Sequence, residues 1–147
     1  MKKQLTIALV AHDRRKADMV EWVLSNAEML SMHKLICTGT TGGLIREALQ
    51  KDGLVVDITC MNSGPMGGDA EIATLVVRKQ VNLAVFLIDD LNSQPHEADI
   101  QMLLRQCRVH NVPIACNRYS ADLMITSSLW ENDNYTPKEP RYIEFKR

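Results

Sequence analysis

Apolar residues fall along this chain in two alternating rhythms. Short continuous runs, LTIALVA at 5–11 and LAVFLI at 83–88 above all, mark strands buried on both faces. HKLICTG (33–39), VDITCM (56–61) and VPIAC (112–116) are weaker versions of the same signal. Between them the apolar residues switch to helical spacing. Ala17, Val20, Val23 or Leu24, Ala27 and Leu30 follow the first run, and Leu44, Ile45, Ala48 and Leu49 follow the second. Ile72, Leu75 and Val76 start a helix after the third run. Ile100, Leu103, Leu104 and Cys107 do so after the fourth, and a fainter helix over about 120–129 closes the series.

Strand–helix repetition of this kind predicts an α/β fold. The expected form is a three-layer, doubly wound fold with a five-stranded, mainly parallel sheet and helices on both faces. Right-handed crossovers bring every strand's carboxyl end to one edge. No repeat or linker divides the chain, so 1–147 reads as one unit. The polar, proline-bearing stretch from about 131 to 147 reads as a surface tail, in which YIEF (142–145) is compatible with a short edge strand.

The residues that follow each strand are unusually polar. His12, Asp13 and Lys16 follow the first, Thr38-Gly39-Thr40-Thr41-Gly42 the second, and Asn62 through Asp69 the third. Asp89, Asp90, Asn92, His96 and Asp99 follow the fourth, and Asn117 the fifth. Ligands of open parallel sheets bind along that rim. TGTTG offers hydroxyls and a helix start near Gly42 or Gly43, whose free N–H groups suit an anion, although a threonine cap on a tight turn would look the same. A Walker A loop and a dinucleotide Gly-x-Gly-x-x-Gly are both absent.

SGPMGGD (63–69) is stiffened by Pro65 and loosened by Gly64, Gly67 and Gly68. Asp69 opens a helix, so alone it would be read as an N-cap. An N-cap has no need of three glycines, and clustered carboxylates raise one another's pKa toward that of a useful base. His12 and His96 sit on the rim, where a neutral imidazole can donate to a substrate oxygen, whereas His33 and His110 at element ends read as solvated. A metal held by His12, His96 and the aspartates has no His-x-His or His-x-x-x-His spacing behind it, and the metal-free reading is preferred.

Composition narrows the class without changing it. A formal charge of −1 speaks against non-specific nucleic-acid binding. No apolar run reaches membrane-spanning length, and the start lacks a signal-peptide cleavage pattern, so a cytoplasmic protein is expected. Four cysteines without Cys-x-x-Cys spacing read as small buried hydrophobes in a reducing compartment.

Taken together, AHD-x-x-K (11–16), TGTTG (38–42), SGPMGGD (63–69), the D-x-L-x-x-x-P-H-x-x-D run (89–99) and Asn117 resemble the methylglyoxal synthase family in the right order over nearly the whole chain. The resemblance implies a lyase that converts dihydroxyacetone phosphate to methylglyoxal and inorganic phosphate, with no metal or organic cofactor. It implies Asp69 as the catalytic base, with His96, Asp89 and Asp99 also in the catalytic set. Substrate would be held by His12, Asp13, Lys16, Thr38, Gly39, Thr40, Thr41, Ser63, Gly64 and His96. It further implies a homohexamer inhibited by phosphate, through a C-terminal arginine that aligns loosely with Lys146 or Arg147. Asp90 and Cys116 depart from the family's usual proline and threonine. The alternative reading is a non-catalytic regulatory module that binds a phosphorylated metabolite on the same fold, with a metal-assisted phosphatase as a third.

Overall fold

The computed structural model describes residues 4–141. Five parallel strands form one sheet in the order β3-β2-β1-β4-β5. In chain order the elements are β1 (Thr6–Ala11), α1 (Lys16–Ser25), α2 (Ala27–Leu30), β2 (Lys34–Cys37), α3 (Gly39–Lys51), β3 (Asp57–Cys60), α4 (Gly68–Val77), β4 (Leu83–Leu87), α5 (Glu97–Val109), β5 (Ile114–Ala115) and α6 (Arg118–Ile125). The chain winds outward from β1 through β2 to β3, then crosses back to β4 on the other side of β1. That reversal beside β1 is where such sheets open a crevice.

Alternation along the central strands feeds two cores. Ile7, Leu9 and Ala11 of β1, with Leu83, Val85 and Leu87 of β4, meet Met19, Trp22, Ile45 and Leu49 from α1 and α3. Ala8 and Val10 of β1, with Ala84 and Phe86 of β4, face Ile72, Val76, Ile100 and Leu103 from α4 and α5. Burial on both faces is why these two strands read as unbroken apolar runs.

Three expectations are corrected. VDITCM shrinks to four residues of an edge strand, and Asp57, Thr59 and Cys60 are exposed. Of the four thiols only Cys37 and Cys107 are buried, while Cys60 and Cys116 are exposed. His33 is buried at 2% exposure, not solvated. Its Nδ1 accepts the Leu5 N–H at 2.9 Å, and its ring stands edge-on to Trp130. The last described residues, 132–141, are exposed almost throughout and touch the body through Lys79–Glu139 and the Asn111 amide on the Lys138 carbonyl. YIEF, Lys146 and Arg147 lie outside the described residues.

His33 gives a stability prediction. Burial lowers its pKa from the ordinary 6.5, with Glu131 opposing. The unfolded chain therefore binds a proton that the folded chain resists, so stability is full above the unfolded value and falls as pH drops through it. Between about pH 8 and about pH 5.5 the urea midpoint should fall, and it should fall less in His33→Gln. Equal declines in the two proteins would remove His33 from the account.

Candidate active site

β2 runs directly into the threonine turn. The helix begins at Gly39, three residues earlier than the sequence suggests, so TGTTG is the first turn of α3 with Thr38 before it. Two glycines and two threonines are poor helix formers, and tertiary bonds hold the turn instead. Gly39 N–H donates to the Asn62 carbonyl at 3.2 Å, and Thr41 Oγ1 donates to the Ala11 carbonyl at 3.3 Å. The turn is thereby tied to β1 and to the β3 loop. The N–H groups of Thr40 and Thr41, as first-turn groups, have no intrahelical acceptor, and both residues line the cavity, so this turn has the makings of an anion site.

The loop after β3 is shaped by backbone contacts. Ser63 carbonyl accepts from both Met66 N–H (3.0 Å) and Gly68 N–H (2.9 Å), closing a tight turn around Gly67, whose φ is +102°. Gly68 packs so closely on the main chain of Asn62 and Ser63 that a Cβ there would overlap the Asn62 carbonyl oxygen. Gly64 lies against the reactive groups themselves. A Cβ on it would sit 2.8 Å from His96 Nε2 and 3.2 Å from Asp69 Oδ1.

This loop delivers Asp69 to the second residue of α4, with Gly67 in the capping position and no side-chain cap. Asp69 is 0% exposed, and neither carboxyl oxygen finds a hydrogen-bond partner among the described residues. His96 Nε2 lies 3.4 Å from Oδ2. Burial pushes the Asp69 carboxyl above the ordinary carboxylate range, His96 opposes that, and Asp99 on α5 adds to it. A buried polar group without a partner is uncommon in folded proteins and calls for a functional or structural reason.

His12 follows β1 and is 4% exposed. Its Nδ1 accepts the backbone N–H of Asp89 at 2.9 Å, so the ring proton of the neutral form must sit on Nε2. Burial, His96 and Lys16 lower its pKa, with Asp89 and Glu97 opposing, which favours that neutral form. Nε2–H is then a buried donor without a hydrogen-bond partner among the described residues, on a side chain that lines the cavity. The His12 and His96 rings meet edge to face, with centroids 5.6 Å apart.

Donor atoms of His12, Asp69 and His96 lie within 4.8 Å of one another, a spacing that invites the idea of a metal. The fit fails at His12. A histidine that ligates through Nε2 donates its Nδ1–H outward, whereas here Nδ1 faces another N–H.

The cavity holds about 250 Å³ between β1, the first turn of α3 and the Gly-rich loop. His12, Asp13, Lys16, Thr38, Thr40, Thr41, Ser63, Gly64, Asp69 and His96 line it, so ten of the sequence candidates converge. Gly39 stands behind the turn and ties the two loops. Asp13 is exposed and ion-paired with Lys16. Asp89 and Asp99 do not line the cavity. Asp89 accepts from Leu91 N–H (3.1 Å) and the Asn92 amide (2.9 Å), and the Asn92 bond chiefly holds its carboxyl below the usual range. Besides Val10 and Ala11 at the end of β1, sequence reasoning missed the loop residues Pro65 and Gln94 in the lining. Both loop residues lie inside motifs already singled out, at positions whose direction only the folded loop fixes.

The fold and site define a class: a parallel α/β protein in which a buried carboxyl group, without a hydrogen-bond partner among the described residues, and the first turn of a helix line one small cavity. The chain belongs to the methylglyoxal synthase family. A family model described as MGS-like domain matches residues 18–116. A methylglyoxal synthase of Treponema socranskii is 71% identical over 147 residues, covering 100% of this chain and 93% of that protein. One from Yersinia enterocolitica is 41% identical over 140 residues, covering 94% and 89%. Among solved structures, methylglyoxal synthase from Elizabethkingia anophelis NUHP1 matches with a TM-score of 0.85 at 39% identity, covering 97% of this chain and 90% of that one. The chain is an enzyme of this type, and its α/β architecture is the expected one. No described helix is long and apolar enough to cross a membrane.

Proposed function

We propose that this protein converts dihydroxyacetone phosphate to methylglyoxal and inorganic phosphate through an enediolate, with Asp69 as the base. The observation that carries the reading is the Asp69 carboxyl group, fully buried, without a hydrogen-bond partner among the described residues, and lining the same cavity as the first turn of α3. Desolvation raises its basicity, which suits removal of a proton from the hydroxymethyl carbon beside the carbonyl. Charge then develops on the two substrate oxygens, where His12 Nε2–H and His96 can donate. A neutral imidazole is the appropriate donor, because it polarises a carbonyl without surrendering its proton too early.

The fate of the phosphate distinguishes this chemistry from simple isomerisation. Elimination requires the C–O bond to phosphate to stand out of the enediolate plane and overlap its π system. The first turn of α3 with Thr38, Thr40 and Thr41, the Ser63-Gly64 backbone and Lys16 would hold the phosphate in that rotamer and stabilise it on departure. The released enol becomes methylglyoxal by taking a proton on carbon. Asp99 acts through the charge it places near Asp69, and Asp89 through the loop it caps. Assembly of identical subunits as a hexamer, and inhibition by phosphate, belong to the same proposal. Sedimentation and phosphate titration of turnover test them.

Incubation with dihydroxyacetone phosphate should yield methylglyoxal and phosphate at a rate unchanged by a chelator, since the His12 tautomer does not suit a metal. Formation of dihydroxyacetone plus phosphate would mean hydrolysis instead, and no turnover would favour the regulatory module.

A further inference from the structure

Cys37 and Cys60 end neighbouring parallel strands and are partners in the β2–β3 register. Cα atoms of such partners stand about 4.8 Å apart, inside the span a disulfide bridges. Partners in a parallel ladder share a face, and both side chains here lie toward α3. A Cβ built on Gly42 would sit 3.0 Å from Cys37 Cβ and 2.5 Å from Cys60 Sγ, so both cysteines close on one point under the helix. Their exposures differ completely. Cys60 is open to solvent on the edge strand, whereas Cys37 is 0% exposed in the core.

We infer that Cys37 and Cys60 form an oxidisable pair whose disulfide slows the enzyme. The oxidant is a hydroperoxide reaching Cys60 from solvent. The Cys60 thiolate attacks the O–O bond, giving a sulfenic acid and releasing water or an alcohol. Cys37 sulfur then attacks the Cys60 sulfur, expelling hydroxide, which takes the Cys37 proton and leaves as water. Two thiols are oxidised and one peroxide is reduced. Burial pushes the Cys37 thiol up to about 12, so Cys37 is inert toward solvent oxidants and serves only as the resolving partner held beside its target.

The consequence for activity rests on the proposed function. Cys37 is followed by Thr38, and Cys60 is three residues before Ser63. The main chains of the two segments are stitched by Met61 N–H to the Cys37 carbonyl (2.7 Å) and Gly39 N–H to the Asn62 carbonyl (3.2 Å). Cys60 sulfur must leave its place over Gly42 to reach Cys37. Both loops of the site are anchored at that point, and a misplacement of about an ångström there is costly.

Treatment of the intact protein with hydrogen peroxide, followed by alkylation and mass analysis, tests the pair. The expected product has lost two hydrogens, carries a cross-link between the peptides holding Cys37 and Cys60, and turns over substrate about tenfold or more slowly until a dithiol restores it. Cys60→Ser and Cys37→Ala should form no cross-link and keep their rates under the same treatment. Oxygen addition at Cys60 without a cross-link, or a bond to Cys107 or Cys116, would overturn the pairing. A cross-linked protein with full turnover would overturn the control of activity. The reduced protein's own turnover separates failure of this inference from failure of the functional reading.

Discussion

Asp69→Asn should lower the turnover of dihydroxyacetone phosphate by about 10²- to 10⁴-fold, the usual contribution of a positioned acid–base group. Asparagine keeps the shape of the side chain, and it removes a carboxylate that burial already disfavours in its charged form. The urea midpoint should therefore hold or rise. Binding of an unreactive three-carbon phosphate should persist as well, because the proposed phosphate contacts are the threonine turn and Lys16, which also line the cavity. The informative result is the combination of lost rate, retained fold and retained binding. If most of the rate survived, a different acid would be the base, and Asp99 would be the next to replace.

Gly68→Ala should cost both folding and activity. The added methyl group meets the Asn62 carbonyl oxygen and carbon and the Ser63 carbonyl oxygen, all of them backbone atoms. None can rotate aside as a side chain would, so the 63–68 turn must open. Overpacking of this kind costs about 1–3 kcal/mol, and more where nothing yields. The turn carries Gly64 and sets the entry of α4, so Asp69 moves with it. Gly43→Ala supplies the contrast. A Cβ there meets nothing within 4 Å among the described residues, and alanine is the better helix former by about 1 kcal/mol, so that variant should be as stable as the parent or more so. Thermal unfolding of the pair decides the matter. Equal melting temperatures would contradict the close packing of the loop.

The strand–helix order was legible because β1 and β4 are central and must be apolar on both faces. β3 was not legible as an edge, since VDITCM and a buried strand of the same length have similar composition. His33 misled for a related reason. A histidine at a strand start is ordinarily solvated, and nothing local reveals that Leu5 offers it an N–H from 28 residues away. The rim motifs were readable as a group because strand polarity alone brings their loops together. Their roles were less readable. That Asp69 is buried without a cap follows from the tight packing of Gly68 on Asn62, a contact between backbone atoms that carries no side-chain signature. Asp89 invited a reading as an acid, yet its carboxylate is committed to Leu91 and Asn92.

The grip on His12 comes from a peptide N–H rather than from a side chain. Nineteen of the twenty amino acids at position 89 would supply that same proton, and only proline would withhold it. The orientation of the imidazole is thus inherited from the path of the chain after β4. Directed evolution of this enzyme could exchange the residue at 89 freely in this one respect, while a shift of that strand's end by a single register would undo it.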